Sequence, residues 1–297
     1  MAEHVKTRKR DPHKNSLALL HLSVMMFGFS AVLGQFVSVP AVVIAGGRVI
    51  FSSIALLLCA FVTKASLRLR CKKDYGIALF TGVILAVHWT TFFQSIQSSS
   101  VAIGTITFSA FPLFLTVLEP LVFHEKLRFR SVISAFVLVL GVGITIPSFS
   151  LENETTMGIF WGLISALAYG VMSLSNRYLS GFYESRTICF YEQGAAAVVL
   201  LPAVVLLQVQ WTVEAVAGIA AIGLVCTALA HSLYVAAQRN VKAQTAGVIS
   251  GMETVYGILF AFLFLGEVPG IRELIGGAII LGAAVFSSLT SSKRTLS

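Results

Sequence analysis

Charge is scarce in this sequence. Only 11% of its 297 residues are Asp, Glu, Lys or Arg, against about 25% in soluble domains. That shortage excludes an ordinary soluble globule. Cysteine is scarce as well: Cys59, Cys71, Cys189 and Cys226 are scattered, with no metal-ligand spacing and no disulfide framework. The phosphate-binding loop, the dinucleotide fingerprint, the nucleophile elbow and the paired histidines of zinc helices are all missing. No enzyme, cofactor or metal site is expected. The alternating ten-residue segments of a membrane β-barrel are missing too.

What the chain has is apolar length. Hydrophobic residues make up 57% of it, and its mean hydropathy is +0.88. A helix needs roughly 20 mostly apolar residues to cross a hydrocarbon core about 30 Å thick. Ten such stretches occur, at 15–37, 40–63, 75–97, 100–123, 130–148, 157–178, 187–209, 214–237, 243–265 and 271–290. Helices satisfy every backbone N–H and C=O within one segment, as lipid demands. The fold class predicted is all-α integral membrane, with ten transmembrane helices and loops too short for a soluble domain.

The net charge of +8 is not a footprint for nucleic acid, because it is sorted. With ten spans and an internal N-terminus, 19 of the 21 basic residues fall on one side. They include Lys6 to Lys14 before the first span, Lys64 to Lys73 after the second and Lys126 to Arg130 after the fourth. Arg272 falls on the other side and Arg48 within a span. The positive-inside rule then sets both termini in the cytoplasm. The basic N-terminus and its apolar run read as a retained first span, since the run is too long for a signal peptide and no cleavage site follows. A multi-pass protein of a bacterial plasma (inner) membrane is expected. Asn153-Glu154-Thr155 is a glycosylation sequon in an external loop, and such triplets are common by chance.

The chain also repeats itself 142 positions on. Phe27-Gly28 returns as Tyr169-Gly170, Phe92 as Tyr234, and the Leu121 to Glu125 spacing as Leu263 to Glu267. Each copy contains five spans. Five is odd, so the second copy lies upside down relative to the first, the arrangement on which many secondary transporters are built. The organisation expected is a basic cytoplasmic tail (1–14), a first five-helix repeat (15–149), an external linker (150–156), a second five-helix repeat (157–290) and a cytoplasmic C-terminal tail (291–297).

Several motifs resemble EamA-like permeases of the drug/metabolite transporter superfamily, over essentially the whole chain. The stretch from Gly251, with Glu253, Tyr256 and Gly257, to Leu265-Gly266-Glu267 resembles that family's ninth span. Phe111-Pro112 and Glu125 match the same pattern more loosely in the first copy. Arg48, after Gly46-Gly47, looks like the family's second-span arginine, and Phe27-Gly28 stands where Trp-Gly is usual. Thr254 and His124 depart from the pattern, where proline and glycine would stand. The resemblance implies ten helices in two inverted repeats, a central cavity, and transport of small metabolites, commonly export of amino acids.

Ionisable groups inside lipid cost about 2.5–3.5 kcal/mol at a helix centre, so they face the bundle interior and mark function. Glu253 lies ten residues from the inner end of its span, about 15 Å deep. It reads either as a site for a substrate ammonium or a proton, or as a structural acid. Arg48 reads as a fork for a substrate carboxylate, or as the partner of an interior Glu or of carbonyls at a broken turn. Trp89/Phe92 and His231/Tyr234 each share a helix face, and inversion would aim both at one cavity. Phe111, Tyr169, Tyr256 and His88 complete the expected lining. Glu253, His88 and His231 are the candidates for ion coupling, though histidine in a span also serves as a bond to a neighbouring helix. Glu119 and Glu192 are expected near the cytoplasmic boundary beside basic loops, and Glu125 and Glu267 as helix anchors.

These features predict a secondary-active transporter that moves small polar or amphipathic metabolites by alternating access, and the resemblance implies export of amino acids or related compounds. Its partners would be a small metabolite and the bilayer, with self-association open through the glycine-rich last span. One rival is a nucleotide-sugar or phosphate-ester antiporter on the same fold, which should need more than one deep basic residue. Others are a membrane scaffold or sensor, and an intramembrane enzyme, for which no catalytic pair is present.

Overall fold

The computed structural model describes residues 12–122, 129–146, 150, 152–238 and 249–291. Among the described residues every regular element is helical. In chain order these are α1 (Pro12–Phe36), α2 (Ala41–Val62), α3 (Lys72–Ser98), α4 (Val101–Phe108), α5 (Phe111–Val122), α6 (Phe129–Thr145), α7 (Glu154–Ser180) and α8 (Ser185–Leu206). Then follow α9 (Val213–Gly223), a π-helical segment (Leu224–Leu229), α10 (Ala230–Gln238), α11 (Met252–Leu265) and α12 (Ile271–Ser291). Seven stretches are long and apolar enough to cross a bilayer: Asn15–Phe36, Ala41–Val62, Lys72–Ser98, Val101–Val122, Glu154–Ser180, Ser185–Leu206 and Val213–Tyr234. Of the other expected spans, the fifth is a helix of 17 residues, and the ninth a shorter apolar helix of 14.

The molecule is apolar outside as well as inside. Phe61, Leu206, Phe136 and Val139 all stand exposed, as suits helices whose outer solvent is lipid. The interior is held by close packing and interhelical hydrogen bonds, the two devices left when hydrophobic burial gives no advantage. The side-chain amides of Gln35 and Gln97 donate to the carbonyls of Ile96 at 2.9 Å and Val39 at 2.8 Å. Ser95 Oγ donates to Gly158 O at 2.6 Å, and Ser52 bonds the amide oxygen of Gln193.

Small residues let helix backbones touch. At Gly28 an added Cβ would lie 2.8 Å from Gly257 N and 2.9 Å from Glu253 O, so α1 and α11 meet there almost backbone to backbone. Gly276 faces Gly141 and Thr145, and Gly277 faces Ile106. Those two glycines of the last helix therefore pack within the chain, while Gly282 meets nothing within 4 Å. Gly266 has φ +69 and ends α11 in the left-handed conformation, the backbone reason for glycine ahead of Glu267.

Glu267 accepts from the Val101 N–H at 3.1 Å. It caps α4, an element of the first half, rather than the helix that follows it. Glu125 lies outside the described residues. Glu119 pairs with Arg177 near the ends of α5 and α7. Glu192 was expected beside basic loops; instead it is buried, with its backbone against Gly82 and its Oε1 unpartnered. Asn153 is the N-cap of α7, its Oδ1 accepting from Thr156 N at 3.1 Å.

Two spans are broken at mid-depth. α4 ends at a turn over Ser109 and Ala110 before α5 begins, because Pro112 cannot supply a helical N–H. α9 passes into six residues of π-helix before α10. The first break follows Phe108, and the second sets Thr227 against Arg48; Phe108 and Arg48 both line the cavity described next.

Candidate substrate-binding cavity

A cavity with about 500 Å³ of empty space opens between the helices. Phe27 and Ser30 come from α1, Arg48 from α2, and Leu85, His88, Trp89 and Phe92 from α3. Phe108 of α4, Tyr169 and Met172 of α7, His231 of α10 and Glu253 of α11 complete it. Both halves of the chain contribute. Positions 142 apart meet here: Phe27 with Tyr169, Ser30 with Met172, Trp89 with His231.

Arg48 is 3% exposed. Its guanidinium carbon sits 3.9 Å from the centre of the Trp89 ring, a cation–π contact strengthened by desolvation. Nε and Nη2 donate to Thr227 Oγ1 at 3.1 and 2.9 Å. The Thr227 hydroxyl hydrogen goes to Ile222 O at 2.8 Å, so the oxygen is left as a pure acceptor for Arg48. The π turn sets Thr227 in place, and Gly223 makes room: a Cβ there would be 2.8 Å from Arg48 O. π-helical turns occur mostly at functional sites. Among the described residues no carboxylate pairs with Arg48.

His88 is buried and its Nδ1 lies 3.1 Å from Ser165 O. For that contact Nδ1 must carry the hydrogen, since a carbonyl can only accept; the Ser165 hydroxyl also lies 2.8 Å from Nδ1. Ser165 Oγ donates back to His88 O at 3.1 Å. The imidazole is thus fixed to α7. Around it runs an aromatic wall: Tyr169, Phe108 and Phe92 at centroid distances of 5.1, 5.2 and 6.2 Å. Across the cavity Trp89 meets His231 edge to face at 6.2 Å, and His231 meets Phe27 at 4.9 Å. Glu253 forms no hydrogen bond or ion pair among the described residues. Ser30 Oγ is buried without a partner. Buried polar groups left unpartnered in a native fold call for an explanation, and a bound ligand supplies one. Groups of three or more His, Cys, Asp or Glu that could hold a metal do not occur among the described residues.

The sequence profile of the EamA-like transporter family matches residues 15–146 and again residues 156–289. The chain belongs to the EamA-like transporter family. Its curated relatives include an uncharacterized transporter of Archaeoglobus fulgidus, 23% identical over 71% of this chain and 74% of that protein. The uncharacterized transporter YxxF of Bacillus subtilis is 21% identical over 87% of this chain and 85% of its own. One of Helicobacter pylori is 25% identical over 82% and 84%. A solved crystal structure shares the fold, with a TM-score of 0.64 at 14% identity over 94% of this chain and 98% of that one. As an EamA-like transporter the protein is integral to the membrane and crosses it several times.

Of the residues singled out in this EamA-like sequence, Arg48, His88, Trp89, Phe92, Tyr169, His231 and Glu253 line the cavity together. Phe111 lines a neighbouring one with Glu253, and stacks on Phe108 at 5.3 Å. Tyr234 turns aside to bond Ser250 at 2.7 Å, so Phe92 does not face it. Tyr256 bonds His21 at 3.0 Å and ties α11 to α1. Arg48 and Glu253 share the cavity without forming an ion pair. Sequence reasoning missed Phe108, Leu85, Met172 and Thr227. Phe108 was legible only as an aromatic three residues before Phe111, in the same expected span. Thr227 carries no local signal, since only the π turn aims it at Arg48.

Proposed function

We propose that this protein is a secondary-active permease carrying a small zwitterion with an apolar body, an amino acid or related compound, by alternating access. The observation that carries the reading is the pair of opposite charges, Arg48 and Glu253, in one aromatic-walled cavity and not bonded to each other. A carboxylate fits the Arg48 fork, an ammonium fits Glu253, and the ring wall takes the apolar body. A nucleotide-sugar or phosphate ester is disfavoured, because among the described residues Arg48 is the only lysine or arginine in that lining.

In the same reading the chain is ten helices in two inverted five-helix repeats, 15–149 and 157–290, with both termini in the cytoplasm of a plasma membrane. The twofold match of the family profile supports two repeats, and the sorting of basic residues supports their opposite orientation. Export is the family's common direction, and Glu253 is the proposed point of ion coupling.

The test is counterflow in proteoliposomes with a panel of labelled amino acids, nucleotide-sugars and phosphate esters. Exchange of amino acids alone is expected. Exchange of nucleotide-sugars without amino acids would reverse the assignment.

A further inference from the structure

A second cavity adjoins the first, and Glu253 and Phe108 belong to both walls. It has about 370 Å³ of empty space and lies where the break after α4 meets the start of α11. Ser109, Pro112, Ser250 and Thr254 are among its lining residues.

Apolar side chains make up most of this wall, and its side-chain oxygens are those of Ser109, Ser250, Glu253 and Thr254. At the break, the N–H groups of Ser109, Ala110 and Leu113 bond the carbonyls of Thr105, Thr107 and Ala110. Pro112 has no N–H, so the Phe108 carbonyl lacks its donor four residues on. Leu113, the corresponding donor for Ser109, has gone to Ala110. Two carbonyls are therefore left without helical donors at the C-terminal end of α4, where the helix dipole is negative.

The hydroxyls point the same way. Ser109 Oγ donates to Ile106 O at 2.6 Å, and Thr254 Oγ1 donates to Thr105 O at 3.0 Å. Each has its single hydrogen engaged and presents only lone pairs. Beside them stands the Glu253 carboxylate, with no hydrogen bond or ion pair among the described residues.

We propose that this second cavity is a binding site for a monovalent metal cation, Na⁺, held by Glu253, the hydroxyls of Ser109 and Thr254 and the free carbonyls at the end of α4. The proposal rests on the reading of the protein as a secondary transporter and names its driving ion. Hard cations take oxygen ligands, and in transporters broken-helix carbonyls and half-helix C-termini supply them. One carboxylate balances one positive charge; a divalent ion would leave a net charge inside the bilayer.

The shared carboxylate gives the site a consequence. A cation in the smaller cavity engages Glu253 and weakens its hold on a substrate ammonium in the larger one. By linkage the substrate weakens the cation equally. Mutual displacement of this kind is what exchange of ion for substrate requires.

The experiment is thermal unfolding of the purified full-length protein in detergent, in NaCl, KCl or choline chloride at equal ionic strength and fixed pH. Na⁺ is expected to raise Tm, with K⁺ and choline inactive. Ser109→Ala and Thr254→Val should each raise the half-saturating Na⁺ concentration about tenfold, and Glu253→Gln should abolish the shift. Thr254→Ser keeps the hydroxyl and should keep the shift, which separates loss of a ligand from misfolding. An absence of any Na⁺-specific shift would overturn the site, as would a shift retained in Glu253→Gln or a response to pH alone. Amino-acid counterflow that persists in choline while the Na⁺ shift is missing sinks the cation site and leaves the transport reading standing. A Na⁺ shift without amino-acid counterflow does the opposite.

Discussion

Arg48 and Glu253 reach one cavity from opposite halves of the chain, on α2 and α11, and do not pair with each other. Arg48 is held instead by neutral groups, the face of Trp89 and the hydroxyl of Thr227. An Arg–Glu pair would neutralise both groups and close the site to ligand. Held apart, each is open to one end of a ligand that carries both signs.

The support of Arg48 is testable through its conservative variants. Arg48→Lys keeps a charge but loses the planar fork and the stack on Trp89. The half-saturating amino-acid concentration in counterflow should rise about tenfold or more. Thr227→Val should raise it roughly three- to tenfold by releasing the guanidinium, and Thr227→Ser should restore it. Full activity in Thr227→Val would remove the π turn from the mechanism.

Glu253 should read the substrate's ammonium. The wild type is expected to prefer an amino acid over its des-amino analogue by about tenfold or more in competition counterflow. Glu253→Gln should erase that preference while leaving the analogue's own affinity within about twofold. Equal discrimination in both proteins would show that the ammonium binds elsewhere.

Gly28 should tolerate no side chain. Gly28→Ala drives a methyl against the backbone of Gly257 and Glu253, with an expected loss of about 1–3 kcal/mol for overpacking. Gly282→Ala, on an open face of α12, should be neutral or mildly stabilising on helix propensity, by at most about 1 kcal/mol. Unfolding in mixed micelles compares the two. Equal Tm values for Gly28→Ala and the wild type would contradict the close approach of α1 and α11.

Glu267 should shape the pH dependence of stability. Burial pushes its carboxyl above the usual carboxylate range and Glu273 adds to this, against the pull of the Val101 and Ala102 N–H groups. A raised folded-state pKa contributes stability that is present below the unfolded pKa and is lost as pH rises through the folded one. The wild type should therefore lose stability relative to Glu267→Gln as pH rises above the ordinary carboxylate range, from about 4 upward. Parallel Tm curves for the two proteins over that range would refute the effect.

Much of this was readable along the chain, because lipid imposes rules that act residue by residue. Long apolar runs mark spans, and a deep Arg48 or Glu253 stands out because its desolvation is costly wherever the helix goes. What was not readable depends on rotation about helix axes. Tyr234 and Tyr256 share the aromatic character of Trp89 and His231, yet they turn to Ser250 and His21. The inserted residue of a π turn changes which side chain faces inward, and the sequence Leu224–Leu229 carries no mark of it.

The sequence by itself determined that the chain is a helical membrane protein, that two deep charges of opposite sign must be accommodated, and that positions 142 apart echo each other. Those properties follow from composition, length and period, which need no knowledge of neighbours. Tertiary structure alone decided that the two charges share a cavity without touching, that Thr227 steadies one of them, and that Glu253 stands between two cavities. Those are relations between helices distant in sequence, set by where glycines let backbones meet and where Pro112 and the π segment interrupt the helical ladder.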